Sequence, residues 1–234
     1  MEIQATDENA GQLDPAFGVF GQIRPDFLAG SVRAVVLSAE GSLTYATRQG
    51  EGFTLYRTDS DGIKDKVFGN DGNTGEWQFV SGKKASPSRL LLQEDRKILV
   101  IGDTREPDGI GRAALRRFHA NGSPDLDFGS VVVPVAQHDY SQVALIDGCL
   151  QGDGKILVAF SYFISESEGS LLARLHNNGE LDTGFGKSGF VEIETGGDFI
   201  RLCSVVIQDG KIVVGGTTVS GQLVLARYDL LGQI

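Results

Sequence analysis

Apolar residues in this chain come in short runs separated by polar, glycine-bearing turns. Val205-Val206-Ile207 and Ile212-Val213-Val214 flank Asp209-Gly210, and Asp-Gly between apolar runs predicts a tight hairpin, whose turn needs left-handed backbone at both central residues. The same pattern recurs at Asp153-Gly154-Lys155, Asp95-Arg96-Lys97 and Glu40-Gly41-Ser42, at intervals of 55 to 58 residues. Runs such as Ile98–Ile101 are apolar at every position, as in strands buried on both faces. No window of ten residues carries a 3.6-residue apolar stripe, so the pattern predicts an all-β chain. In the last repeat the predicted strands are Phe190–Glu194, Leu202–Ile207, Lys211–Gly216 and Leu223–Arg227.

A second marker fixes the repeat. Arg57, Gly62, Asp65, Phe68 and Gly69 recur at identical spacing as Arg117, Gly122, Asp125, Phe128, Gly129 and as Arg174, Gly179, Asp182, Phe185, Gly186. A further copy is split between Arg227-x4-Gly232 and Gly11-x2-Asp14-x2-Phe17-Gly18. The motif glycines are 51, 60, 57 and 53 residues apart, so residues 11–234 read as one domain of four units, near 11–61, 62–121, 122–178 and 179–232. Residues 1–10 read as a flexible polar tail. Short four-stranded antiparallel sheets repeated in this way predict a four-bladed β-propeller. The strand near Val19–Arg24 is expected to join the last three strands, Leu202–Arg227, and close the ring.

Leu172-Ala-Arg-Leu-His-Asn-Asn-Gly-Glu-Leu-Asp-Thr-Gly-Phe-Gly186 and Asp153-Gly-Lys-Ile-Leu-Val158 resemble the bacterial delta-60 repeat. The resemblance implies a β-propeller domain of unknown function and brings no catalytic residues. It is weakest in the first unit, where Glu40-Gly-Ser-Leu-Thr44 replaces the Asp-Gly-Lys-Ile-Leu stretch.

Composition sharpens this in three respects. The 32 glycines among 234 residues, about twice the average frequency, suit turns and penalise helices. With 31 acidic and 21 basic residues the net charge is −10, which argues against nucleic acid and anionic membrane partners. No run is long enough to span a bilayer, so membrane insertion is not expected. The first residues lack the basic and apolar regions of a secretory leader, which points to the cytoplasm or a leaderless export route. Cys149 and Cys203 lie in strand-like runs of different units and are expected as two buried thiols.

The repeated arginines and aspartates read as one structural device. Arg57, Arg117 and Arg174 are expected to pair with Asp65, Asp125 and Asp182, and Arg227 with Asp14. Phe68, Phe128, Phe185 and Phe17 would form the apolar plug beside each pair. Three positions before each motif glycine stand Asp59, His119, His176 and Asp229, turn residues that become a metal-site candidate if they face one channel. Asp59-Ser-Asp-Gly62 and Asn70-Asp-Gly-Asn73 resemble the opening of calcium loops but lack the twelfth-position glutamate, so no cofactor is implied beyond a bound calcium or other ion.

The loops that differ between units supply ligand-binding candidates: Trp77, then Asp103, Arg105 and Asp108, then Tyr162, Phe163, Glu166 and Glu168. Aromatic rings beside carboxylates suit sugar or peptide recognition. No nucleophile elbow, zinc-protease, phosphate-loop or Cys-x-x-Cys motif is present. The expectation is therefore a non-catalytic binding or interaction module, lectin-like, with a glycan or protein ligand. The alternatives are a half-ring of a homo-oligomeric, eight-bladed assembly and a glycosidase-like enzyme with an acidic site at the channel mouth.

Overall fold

The computed structural model describes residues 11–24, 30–134, 142–164, 167–195 and 198–233. Among them there is no helix. The described residues form fifteen strands in four antiparallel sheets. The first sheet holds β1 (Ser31–Leu37), β2 (Leu43–Gln49) and β3 (Gly52–Thr58) in that order, widened by bridges from Phe53 to Trp77 and from Tyr56 to Asn73. In the second, β4 (Lys84–Leu92), β5 (Ile98–Arg105), β6 (Gly111–Phe118) and β7 (Ser130–Val132) succeed one another. The third repeats that order with β8 (Gln142–Leu150), β9 (Ile156–Ile164), β10 (Ser167–Leu175) and β11 (Phe190–Glu192). The fourth runs β12 (Glu194–Thr195), β13 (Asp198–Gln208), β14 (Lys211–Thr218) and β15 (Leu223–Tyr228).

The predicted hairpins are all present. Leu37 pairs with Leu43, Leu92 with Ile98, Leu150 with Ile156 and Gln208 with Lys211. Arg96 takes a left-handed φ of 64° where the other turns have glycine or Asp209. Each leading strand also carries a bulge at the same place, between Val32 and Ala34, Pro87 and Arg89, Ala144 and Asp147, and Leu202 and Ser204. A bulge sharpens strand twist, so the four sheets share one curvature.

Three apolar clusters lie between successive sheets. Phe53, Leu55, Phe68 and Phe79 meet Leu90, Ile98, Val100 and Phe118 between the first and second. Leu99, Ile101 and Leu115 meet Val143, Val158 and Phe160 between the second and third. Leu157, Leu172 and Phe185 meet Leu202, Val205 and Val214 between the third and fourth. Strands apolar at every position, such as Ile98–Ile101, feed both neighbouring clusters, as their pattern requires.

Ring closure departs from expectation. Residues 18–22 make a tight turn with bridges from Gly18 and Val19 to Gln22, and they do not extend the fourth sheet, where β15 pairs only with β14. The Gly18 N–H donates to Asp61 O at 2.7 Å, the same crossing that Gly69 makes to Asn121 and Gly186 to Leu231, so this turn sits against the first sheet's motif as the other motif turns sit against theirs. Among the described residues no apolar cluster joins the fourth sheet to the first. Instead Val32, Val35 and Leu37 on β1 and Leu223 and Leu225 on β15 are exposed. The cysteines also differ: Cys149 is buried, whereas Cys203 is exposed at the β13 bulge, where the side chain leaves the sheet register.

Candidate functional site

The motif builds a clasp at each joint. Arg57 Nε donates to Asp65 Oδ2 at 2.7 Å, Arg117 to Asp125 at 2.7 Å and Arg174 to Asp182 at 2.8 Å. Each guanidinium lies 4.4 to 4.5 Å over the phenylalanine of its own motif, Phe68, Phe128 or Phe185. The free end of the fork then crosses to the next motif turn. Arg57 Nη1 donates to Ala120 O, Arg117 Nη1 to Asn177 O at 2.7 Å, and Arg174 Nη1 to Leu230 O. Backbone reinforces the crossing, with Gly69 N–H donating to Asn121 O and Gly186 N–H to Leu231 O. The motif glycine is needed for this approach: at Gly122, with φ of +85°, a Cβ would lie 2.9 Å from Gly69 N.

The fourth clasp is not assembled. Arg227 is exposed and, among the described residues, has no carboxylate partner. The Asp14 carboxylate accepts the Ala16 N–H and has no arginine partner among the described residues, and Phe17 is half-exposed where Phe68, Phe128 and Phe185 are buried.

The joints differ in what covers the guanidinium. Between the second and third sheets, Gln93 Oε1 lies 3.3 Å from Arg117 Nη1, and Gln93 Nε2 donates to Asn177 Oδ1 at 2.6 Å. Lys97 Nζ adds a second cation 3.1 Å from Asp125. The corresponding residues between the first and second sheets are Ser38, Ala120 and Ser42, all short. There Arg57 and Asp65 keep 19% and 23% of their side-chain surface exposed, against 8% and 2% for Arg117 and Asp125.

A cleft of about 480 Å³ lies where Ser38, Ser42 and Ala120 replace the longer residues of the second joint. Leu37, Leu92 and Ile98 supply its apolar lining, and Ser38, Ser42 and Thr44 supply hydroxyls. Arg57 and Asp65 lie in its wall with Glu40, Glu94 and Arg96. Glu40 and Glu94 come from equivalent hairpin turns of adjacent sheets. The Glu40 carboxyl is held below the ordinary glutamate range by its own backbone N–H and the Ser38 hydroxyl, with Arg96 and Arg57 adding favourable charge. Sequence reasoning did not select Glu40, Glu94 or the serines; the only signal was the loss of the hairpin lysine at Ser42.

The ligand-binding candidates are not gathered at this cleft. Trp77 lies in a separate cleft of about 430 Å³ with Glu76, Gln78, Ser81 and Arg116. Its Nε1–H donates to Thr74 O at 2.9 Å, and the Arg116 guanidinium stacks 4.3 Å from its ring. Asp103 is buried and accepts from Arg105 at 2.8 Å, while Asp108 accepts the Ile110 N–H within its own turn. Tyr162 is buried with its hydroxyl donating to Glu192 at 2.9 Å, and Phe163 is half-buried. Glu168 is held by both ends of the Arg201 fork at 3.1 Å. Glu166 lies outside the described residues.

The metal candidates are not brought together either. Asp59 accepts the Asp61 and Ile63 N–H groups, and Asp229 those of Leu231 and Gln233, so each carboxylate shapes its own turn. His119 and His176 occupy the same turn position in two other units. Among the described residues there is no group of three or more metal-ligating side chains.

Comparison with solved structures places the fold. The endo-arabinase of Bacteroides thetaiotaomicron matches with a TM-score of 0.52 at 9% identity, over 88% of this chain and 78% of the enzyme. A GH43_1 enzyme of Xanthomonas citri complexed with xylotriose matches with a TM-score of 0.52 at 12% identity, over 86% and 71%. A GH43 β-xylosidase/α-arabinofuranosidase from a compost microbial metagenome gives 0.50 at 10% identity, over 86% and 74%. At such identities the likeness is one of fold. It nevertheless corrects the expectation of a non-catalytic binding module, because these fold relatives are enzymes. No curated protein matches the chain. Residues 93–128, 151–185 and 207–234 match the family described as "Domain of unknown function (DUF5122) beta-propeller", so these three segments are similar to that β-propeller family.

Proposed function

We propose that the four sheets are four successive blades of a propeller and that the cleft between the first two is a glycoside-processing site. The observation that carries this reading is the pair Glu40 and Glu94, set on equivalent turns of adjacent blades around a guanidinium that the next joint buries. Glycoside cleavage needs two carboxyl groups beside the scissile bond, one as acid and one as nucleophile or base. Glu40, kept ionised by its hydrogen bonds and the nearby arginines, takes the nucleophile or base role, and Glu94 takes the acid role. Arg57, Arg96 and the three hydroxyls would bind sugar oxygens, and Leu37, Leu92 and Ile98 would face a sugar ring. The volume falls within the ~300–1,000 Å³ of small-molecule sites. The fold relatives act on arabinose- and xylose-containing glycosides, as their names state, and that is the substrate class proposed here.

The test is hydrolysis of arabino- and xylo-oligosaccharides and of aryl pentosides, followed by reducing-sugar release. Glu40→Gln and Glu94→Gln should each lower kcat by about 10²-fold or more without loss of the β-sheet spectrum. A folded wild-type chain that cleaves none of these glycosides overturns the reading.

A further inference from the structure

We infer that the cleft holding Trp77 and Arg116 binds a small sugar acid through its carboxylate and hydroxyl groups. This inference stands apart from the glycoside reading, since the two clefts share no residue. It rests on a departure from the repeat in the interior of the chain. The residue before the motif arginine is Arg116 on β6, but Ala173 on β10 and Ala226 on β15. Trp77, Val133 and Ile193 also occupy one equivalent position, each donating its N–H to the residue four before a motif arginine, Phe53, Ala113 or Ser170. The second joint therefore packs Val133 and Ala173 into its apolar cluster, and the third packs Ile193 and Ala226. The first joint sets an indole and a cation in the same places.

That cation is held in place but not neutralised. The Arg116 guanidinium stacks 4.3 Å from the Trp77 ring, and Phe118 meets the indole edge-on at 5.7 Å, so the platform is braced. Arg116 Nη1 donates to Gln78 O at 3.0 Å. Its Nε is buried without a hydrogen-bond partner, and among the described residues no carboxylate forms an ion pair with it. Burial draws the guanidinium pKa down, and no neighbouring charge holds it up. Nε and Nη2 share one edge of a guanidinium, and on Arg201 that edge is filled by both oxygens of Glu168 at 3.1 Å. On Arg116 the same edge has no partner among the described residues.

The rest of the cleft sets the class of ligand. Glu76 is exposed on its wall and makes no ion pair with Arg116, although both line the same space. Gln78 Oε1 accepts the Gly82 N–H at 2.8 Å, which fixes the amide and leaves its Nε2 donors unused among the described residues. An acid and a base that line one cleft without meeting suit a ligand with an anionic acceptor at one end and hydroxyl donors at the other. A sugar acid has both. Its carboxylate takes the open edge of Arg116, its hydroxyls donate to Glu76, and its oxygens accept from Gln78 and Ser81. A neutral sugar would leave the guanidinium uncompensated, and the second charge of a phosphate would be repelled by Glu76. Trp77 serves as the platform that orients Arg116.

Trp77 is the only tryptophan of the chain, so its emission reports the Arg116 stack, while calorimetry reads binding independently of the indole. Titration of the full chain with sodium glucuronate, against sodium chloride of equal ionic strength, should shift that emission saturably, with half-saturation at about 1 mM. Glucose should leave it unmoved, and inorganic phosphate should bind at least about tenfold more weakly. Arg116→Ala installs the residue that the second and third joints carry, so the variant should keep its β-sheet spectrum and show no calorimetric binding. Arg116→Lys keeps the charge without the fork and should weaken glucuronate about tenfold. Glu76→Ala should weaken glucuronate about fivefold and leave acetate, which has no hydroxyl, bound no more weakly. A folded wild type without saturable binding overturns the proposal. So does binding that survives Arg116→Ala, that glucose or phosphate matches, or that Glu76→Ala leaves unchanged.

Discussion

Arg117 lays its guanidinium 4.4 Å over the Phe128 ring while donating to Asp125 Oδ2 at 2.7 Å, which seals a charge pair between two blades. Replacing Arg117 with methionine removes the cation and leaves the buried carboxylate. Lys97 at 3.1 Å offsets part of the loss, so the expected destabilisation is about 3 kcal/mol in urea unfolding. Arg57→Met should cost about 1 kcal/mol, because Asp65 keeps contact with water.

The same pair makes stability depend on acid. Burial pushes the Asp125 carboxyl up, but hydrogen bonds from Arg117, Lys97 and the Phe128 N–H outweigh it and hold the group at about 2. A folded value below the unfolded one, near 3.9, gives stability that is full above about pH 5 and fades as pH falls toward 2. The contribution is about 2 kcal/mol. Asp125→Asn should therefore lower stability at neutral pH and flatten its decline between pH 5 and 2, as measured by urea midpoints across that range.

Refilling the cleft is a third test. Ser38→Gln with Ser42→Lys restores in the first joint what Gln93 and Lys97 supply in the second. The double variant should raise the urea midpoint, by about 1 kcal/mol in stability, and abolish glycoside turnover. Unchanged turnover in a folded double variant would separate activity from the cleft.

The hairpins, the repeat and three of the four Arg–Asp pairs were legible because each depends on residues close in sequence. Asp-Gly turns announce hairpins, and a spacing of eight residues places Arg117 opposite Asp125. The crossing of each guanidinium to the next turn was not legible, since its acceptor is a backbone carbonyl that any residue supplies, Ala120 or Leu230 alike. Pairing of Arg227 with Asp14 matched in pattern and failed in space. Trp77 was misleading for a different reason: an isolated aromatic in a variable segment looks exposed in sequence, yet Arg116 and Phe118 pack against it. The cleft at Glu40 and Glu94 arises from three shortened side chains in two separate segments, a subtraction that no single motif announces.

The two thiols should separate in reactivity. Burial, with the nearby Asp147 charge, pushes the Cys149 thiol up to about 12, whereas Cys203 is exposed. A chromogenic disulfide reagent at pH 8 should titrate one thiol per native chain and two after unfolding. Cys203→Ser should leave the native protein unreactive.

The short side chains Ser38, Ser42 and Ala120 between the first two blades have a mechanical consequence. At the second joint a glutamine and an asparagine, Gln93 and Asn177, lock neighbouring turns side by side. At the first joint the Arg57 clasp, the Gly69–Asn121 and Ala85–Glu51 backbone bonds and the apolar cluster hold without that side-chain lock, so the angle between these blades is softer than at the second joint. A molecule seated in the cleft would act as a removable wedge at that bend. Occupancy and curvature then become one variable, and the arc that is stiff when loaded is compliant when empty.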